Sequence, residues 1–144
     1  IARRGAGAVW RPLRTKRLLQ DAEAILERYR IADYCDAPAS TLPQGVRKLL
    51  DIAMALTRHP SLLLLDEPTS GVSAEEKFPV MDTVMAALEG ERAAVLFVEH
   101  DMEIVQRYAS RVVAFYSGRI LADGPPGLVL ADPEVRRHVT GAEA

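Results

Sequence analysis

Between Thr15 and Ile31 the apolar residues Leu18, Leu19, Ala22, Ile25, Leu26 and Tyr29 recur at the spacing of one helical face, which predicts a helix. Asp36-Ala37-Pro38-Ala39-Ser40 breaks the pattern. Val46, Leu49, Leu50, Ala53 and Met54 then mark the apolar face of a second helix ending near His59-Pro60. Leu62 to Leu65 is a continuous apolar run bounded by Pro60 and Pro68, the pattern of a strand buried on both faces of a parallel sheet. Ser73-Ala74-Glu75-Glu76 reads as a capping box opening a helix through Leu88. Phe78, Met81, Val84, Met85 and Leu88 should face inward, and Pro79 should bend or delay that helix. Ala93 to Val98 predicts a second buried strand, after which Asp101 can cap a helix carrying Met102, Val105, Tyr108 and Ala109. Val112 to Tyr116 and Arg119 to Ala122 flank Ser117-Gly118 as in a hairpin, and Asp132-Pro133 begins a last short helix.

Strands alternating with helical segments predict an α/β fold with a parallel, helix-covered sheet. The first two helices precede that rhythm. With 144 residues, 49% of them hydrophobic, the chain can bury one core. A formal net charge of -2 argues against a general nucleic-acid binder. Six basic residues, Arg3, Arg4, Arg11, Arg14, Lys16 and Arg17, crowd the start without an acidic partner and read as a solvated face. The single cysteine, Cys35, cannot form an internal disulfide and suits a reducing compartment. No apolar run approaches the ~20 residues that cross a bilayer.

In an open α/β sheet, ligands bind at the carboxyl ends of the strands. Asp66 and Glu67 follow the first predicted strand, and Glu99 and His100 follow the second, so two strand ends bring titratable groups to one rim. Taken singly, Asp66 and Asp101 read equally well as helix caps, and His100 as a hydrogen-bonded histidine at a helix start. Taken together they suit phosphate chemistry, in which an aspartate holds Mg²⁺ at a nucleotide phosphate and the adjacent glutamate orients the attacking water. Successive strand residues point to opposite faces, so both carboxylates can serve one centre only if the backbone turns between them and Pro68. An ordinary glutamate, titrating at about 4.3, is already ionised for that task at neutral pH.

S-L-L-L-L-D-E-P-T-S-G resembles the Walker B strand and D-loop of the ATP-binding-cassette (ABC) ATPases, and V-E-H-D-M resembles their switch-histidine segment. Leu42-Pro43-Gln44-Gly45-Val46-Arg47 stands where that family carries L-S-G-G-Q, directly before a helix. The resemblance runs over nearly the whole chain, and D-P-E-V-R-R-H-V-T-G is similar to the tail of ATP-binding subunits of branched-chain amino acid importers. It implies a P-loop NTPase-like partial parallel sheet flanked by helices and preceded by part of an α-helical subdomain. Residues 1–44 would belong to that subdomain, 45–119 to the C-terminal part of the ATPase core, and 120–144 to the hairpin strand and tail. By the same resemblance Asp66 would bind Mg²⁺ through water, Glu67 would be the general base and His100 would contact the γ-phosphate. Pro43, Gln44, Gly45, Val46 and Arg47 would face the ATP of an opposing subunit, and Ser70, Gly71, Val72 and Ser73 would form the D-loop; as turn chemistry, Ser70 to Ser73 need no such role.

Two departures from the family qualify that reading. Pro43 replaces the usual serine and so lacks both its hydroxyl and a backbone N–H, while Val46 replaces the usual glutamine. Gly45 and the start of the following helix can still favour an anion, and Arg47 and Lys48 either add positive charge or face solvent. No G-x-x-x-x-G-K-[ST] loop occurs; Gly5-Ala6-Gly7-Ala8-Val9 has no lysine after its glycines. The resemblance therefore implies the C-terminal part of an importer ATPase that starts inside the helical subdomain and is inactive by itself. Its implied ligands are ATP and Mg²⁺. Its implied partners are a second ATPase subunit, transmembrane permease subunits and, indirectly, a solute-binding protein, at the inner face of the cell membrane; no nucleic acid is expected. A non-transport ABC ATPase of DNA repair or translation, and a non-catalytic interaction module, are the alternatives.

Overall fold

In the computed structural model, residues 16–141 are described, and they fall into two compact units, the first ending at Phe97 and the second beginning at Val98. The basic positions Arg3, Arg4, Arg11 and Arg14 and the segment Gly5 to Val9 lie outside the described residues, whereas Lys16 and Arg17 are exposed on the first helix.

The first unit comprises α1 (Lys16–Arg28), α2 (Gln44–Leu56), β1 (Leu62–Asp66), α3 (Lys77–Leu88) and β2 (Ala94–Val98), the last residue of β2 opening the second unit. Short 3₁₀ turns at Ala32–Tyr34 and Ala39–Thr41 lead from α1 to α2. The strands β1 and β2 are neighbours joined by the α3 crossover, as a parallel pair requires. Tyr29 and Ile31, Leu49, Ile52, Ala53 and Leu56 of α2, Leu63 of β1, and Val80, Val84 and Ala87 of α3 close into one apolar cluster. Leu65 and Val95 pack at its edge.

Four expectations are corrected here. The strands are covered on one face only: Leu63 is 5% exposed, but Leu62 and Leu64 are 51% and 64% exposed and Leu96 and Val98 57% and 61%. A four-leucine run cannot distinguish one covered face from two, and among the described residues the helices supply cover on one side. The inner face of α2 is Leu49, Ile52, Ala53 and Leu56, with Met54 55% exposed. In α3 it is Val80, Met81, Thr83, Val84 and Ala87, while Phe78, Met85 and Leu88 are only half-buried. Nor does Ser73 form a capping box. Its hydroxyl donates to the Glu76 carboxylate at 3.0 Å, and α3 begins at Lys77 with Pro79 in its first turn, where a missing N–H costs nothing.

An ion-pair cluster ties the far ends of the helices. The Arg28 guanidinium donates to Glu91 Oε1 at 3.1 Å and to the Ala87 carbonyl, and His59 Nδ1 lies 3.2 Å from Glu91 Oε2. The hydrogen bond with His59, then that with Arg28, holds the Glu91 carboxyl below its ordinary range. The Tyr29 hydroxyl beneath is buried, makes no hydrogen bond to a described residue, and has its pKa raised by that burial.

In the second unit α4 (Met102–Tyr108) is capped by Asp101, whose carboxylate accepts from the Glu103 and Ile104 amides at 3.0 and 3.4 Å. The strands β3 (Val112–Tyr116) and β4 (Arg119–Gly124) form the expected antiparallel hairpin. Ser117 and Gly118 both have positive φ (46° and 80°), the combination a two-residue turn of matching twist demands. The pairing shifts between Ala114 and Phe115, leaving Leu121 as the extra residue of a bulge. Arg111 grips Asp123 with two hydrogen bonds of 2.7 and 2.6 Å. Then α5 (Pro126–Val129), α6 (Pro133–Val135) and a π turn (Arg136–Thr140) fold back, burying Val129 and Val135 against Ala114. Asp132 caps α6, and His138 stacks on Tyr116 at 4.6 Å between ring centres.

A folded-state pKa below the unfolded one stabilises above the ordinary glutamate value and ceases to do so as pH falls through the lowered value. Glu91→Gln is therefore expected to destabilise near neutral pH, and its difference from wild type in urea midpoint should shrink as pH is lowered below 4.5.

Candidate functional site

The first unit carries Asp66 and Glu67 out on β1. Asp66 is the last strand residue and is exposed; Glu67 follows, half-buried, with φ of +45°. The backbone thus turns at Glu67 itself, one residue before Pro68. From there a tight turn closes, with Pro68 second in it and the Ser70 amide donating to the Glu67 carbonyl at 3.0 Å. Pro68 and Thr69 are buried beneath. The left-handed conformation at a non-glycine residue costs about 1–2 kcal/mol, so something nearby must hold it.

That support comes from α2. Lys48 Nζ donates to the Glu67 carbonyl at 2.9 Å in a half-buried setting. A charged donor to a carbonyl contributes about 1.5–3 kcal/mol, the same order as the strain it opposes. One helical turn earlier, Gln44 lies over Gly71: a Cβ placed there would sit 3.3 Å from Gln44 Cγ. Gln44 and Lys48 are four apart and share a face of α2, so one helix face grips both ends of the turn. Gly45 brings the helix start against α3, where a Cβ would stand 3.1 Å from Val80 Cγ2 and 3.8 Å from Val72 Cγ1.

The segment predicted to face phosphate opens α2. Pro43 stands at the N-cap with no side-chain cap, and the first intrahelical bond runs from the Arg47 amide to the Pro43 carbonyl at 3.0 Å. The amides of Gln44, Gly45 and Val46 therefore precede the helical ladder, the position from which helix N-termini receive anions. The Arg47 guanidinium folds back to the Leu42 carbonyl at 3.1 Å. The structure thus brings the start of α2 against the loop that follows the carboxylates, Gln44 at Gly71, Gly45 at Val72 and Lys48 at the Glu67 carbonyl; in the loop 70–73 Val72 is half-buried and Ser70, Gly71 and Ser73 are exposed. Glu99 and His100 follow β2 in the second unit, where His100 is exposed and Asp101 takes the capping role. Lys48 is the residue that sequence reasoning left as charge or solvent; its one signal was its position four after Gln44 on a helix entering the site.

Gly71 has φ of +75° as well as a crowded Cβ direction. Gly71→Ala should therefore lose about 1–2 kcal/mol in equilibrium unfolding, whereas Gly127→Ala, with nothing near its Cβ direction, should lose far less.

The sequence profile of the ABC transporter family matches residues 9–70. Over 127 residues the chain is 35% identical to the hemin import ATP-binding protein HmuV of Rhodococcus jostii, covering 86% of this chain and 43% of that one. It is 29% identical over 123 residues to the high-affinity branched-chain amino acid transport ATP-binding protein LivG of Escherichia coli, covering 85% and 48%. The chain therefore spans under half the length of these curated relatives. Among solved structures, the ADP conformation of MJ1267, an ATP-binding cassette of an ABC transporter, superposes with a TM-score of 0.77 at 28% identity, covering 94% of this chain and 54% of that one. In sequence and in fold, the chain is similar to ABC transporter ATP-binding domains, with relatives among import ATPases for different solutes.

Proposed function

We propose that the chain provides the hydrolytic carboxylates, signature turn and D-loop of an importer's ATP-binding subunit, acting with a phosphate loop supplied from outside these 144 residues. The observation that supports this most directly is the joining of the carboxylate turn to the start of α2 through Lys48 and Gln44.

Glu67 accepts a hydrogen bond from the attacking water and takes its proton, and His100 orients the γ-phosphate. The amides at the start of α2 receive the phosphates of ATP bound by an opposing subunit, without the serine hydroxyl that Pro43 lacks. Asp66 would hold a metal through water as this chain's one ligand to it; among the described residues no group of three or more His, Cys, Asp or Glu could hold a metal. That fits Mg²⁺, which keeps most of its waters and takes one or two carboxylates together with substrate phosphates. When bound there, Mg²⁺ would neutralise charge gathering on the phosphates.

The solute is set elsewhere. Relatives' names span hemin and branched-chain amino acids. Of these we favour branched-chain amino acids or related solutes, on the tail Asp132 to Gly141. In the assembled transporter the subunit would pair with a second ATPase and press on membrane permease subunits from the cytoplasmic side. No helix among the described residues is long and apolar enough to cross a membrane.

Calorimetric titration of the 144-residue chain with Mg-ATP should show no micromolar binding; such binding would contradict the division of labour proposed. In an ATP-binding subunit containing this sequence, Glu67→Gln should retain ATP binding and lose turnover by about a hundredfold or more. Unchanged turnover would remove Glu67 from the mechanism.

A further inference from the structure

We propose that Lys48 is a positioning residue for Glu67: it holds the backbone at Glu67 in its left-handed conformation, and so ties the aim of that carboxylate to the helix whose first turn faces phosphate. This rests on the reading of Glu67 as the base. The Glu67 carbonyl accepts from two directions, the Ser70 amide at 3.0 Å and Lys48 Nζ at 2.9 Å, which uses both of its lone pairs. The first closes the turn on itself. The second anchors it to α2, nineteen residues away in sequence.

Backbone conformation sets where a side chain can point, so an anchor on the Glu67 carbonyl is an anchor on the direction of its carboxylate. Gln44, one turn nearer the helix start, lies over Gly71 and restrains the other end of the same loop. A displacement of α2 along its axis therefore moves both ends of the segment 67–71 together. The amides of Gln44, Gly45 and Val46 on that helix are the ones that would meet phosphate, so occupancy there and the geometry of the base are linked by two side chains. An arginine at 48 can make the same bond; a methionine of similar length cannot.

Amide hydrogen exchange in the nucleotide-free chain tests this. Lys48→Met should speed exchange at Ser70 about tenfold, while Lys48→Arg should stay within about twofold of wild type. In the Glu67→Gly variant, where glycine keeps a positive φ unaided, adding Lys48→Met should change Ser70 exchange by less than about twofold. Unchanged exchange at Ser70 in Lys48→Met overturns the proposal. So does an equal acceleration in the Glu67→Gly background, or a rise shared by the amides of Thr57 and Ala94, which would report general loosening. Because no nucleotide is present, these outcomes are separate from the hydrolytic reading, which Glu67→Gln tests.

Discussion

The hydrogen bond from Lys48 to the Glu67 carbonyl joins the two halves of the site in the first unit. A strand delivers two carboxylates to its end, but strand geometry alone sends them to opposite faces. The left-handed turn at Glu67 ends that alternation, and it is a costly conformation for any residue with a Cβ. A charged donor from the neighbouring helix offsets that cost, and by doing so makes the orientation of the carboxylate depend on where the helix lies. Strain held by a contact from a second element is a common way for a functional backbone to persist.

The packing around this bond explains why small residues flank it. Gly45 lets α2 approach Val80 and Val72, and Gly71 leaves room for Gln44 while accepting a φ of +75°. Behind them the cluster formed by Leu49, Ile52, Leu63, Val80 and Val84 fixes the distance from α2 to β1, without which a lysine could not reach a strand-end carbonyl. The second unit is built on a different economy: capped turns, a hairpin and the tail close a small core around Val135. The tail that resembles branched-chain amino acid importers thus has a folding role in Asp132, Val135 and His138, besides any relation to solute.

Features that depend on neighbours in sequence were legible before the structure. Asp101 and Asp132 as caps, Ser117-Gly118 as a hairpin turn and Leu62 to Leu65 as a strand all follow from local rules. Features that depend on what packs from elsewhere were not. A run of leucines says that burial is available without saying on which side, and the apolar positions of α3 occur on so many sides that Val80, Thr83 and Ala87 could not be singled out as its inner face. The expected capping box at Ser73 gave way because Pro79 set where the helix could start. Lys48 was invisible in its role because a surface lysine and a backbone anchor look identical until the strand end is placed beside it.

The backbone at Glu67 is the most direct place to test this account. A positive φ brings a residue's own amide and α protons close together, so the intraresidue cross-peak between them in a nuclear Overhauser spectrum is strong. The account predicts such a peak at Glu67, comparable with those of Arg30, His59 and Ser117, the other non-glycine residues with positive φ among the described residues. A weak peak, as an extended residue gives, would mean that Glu67 continues the strand and that nothing about its carboxylate needs Lys48.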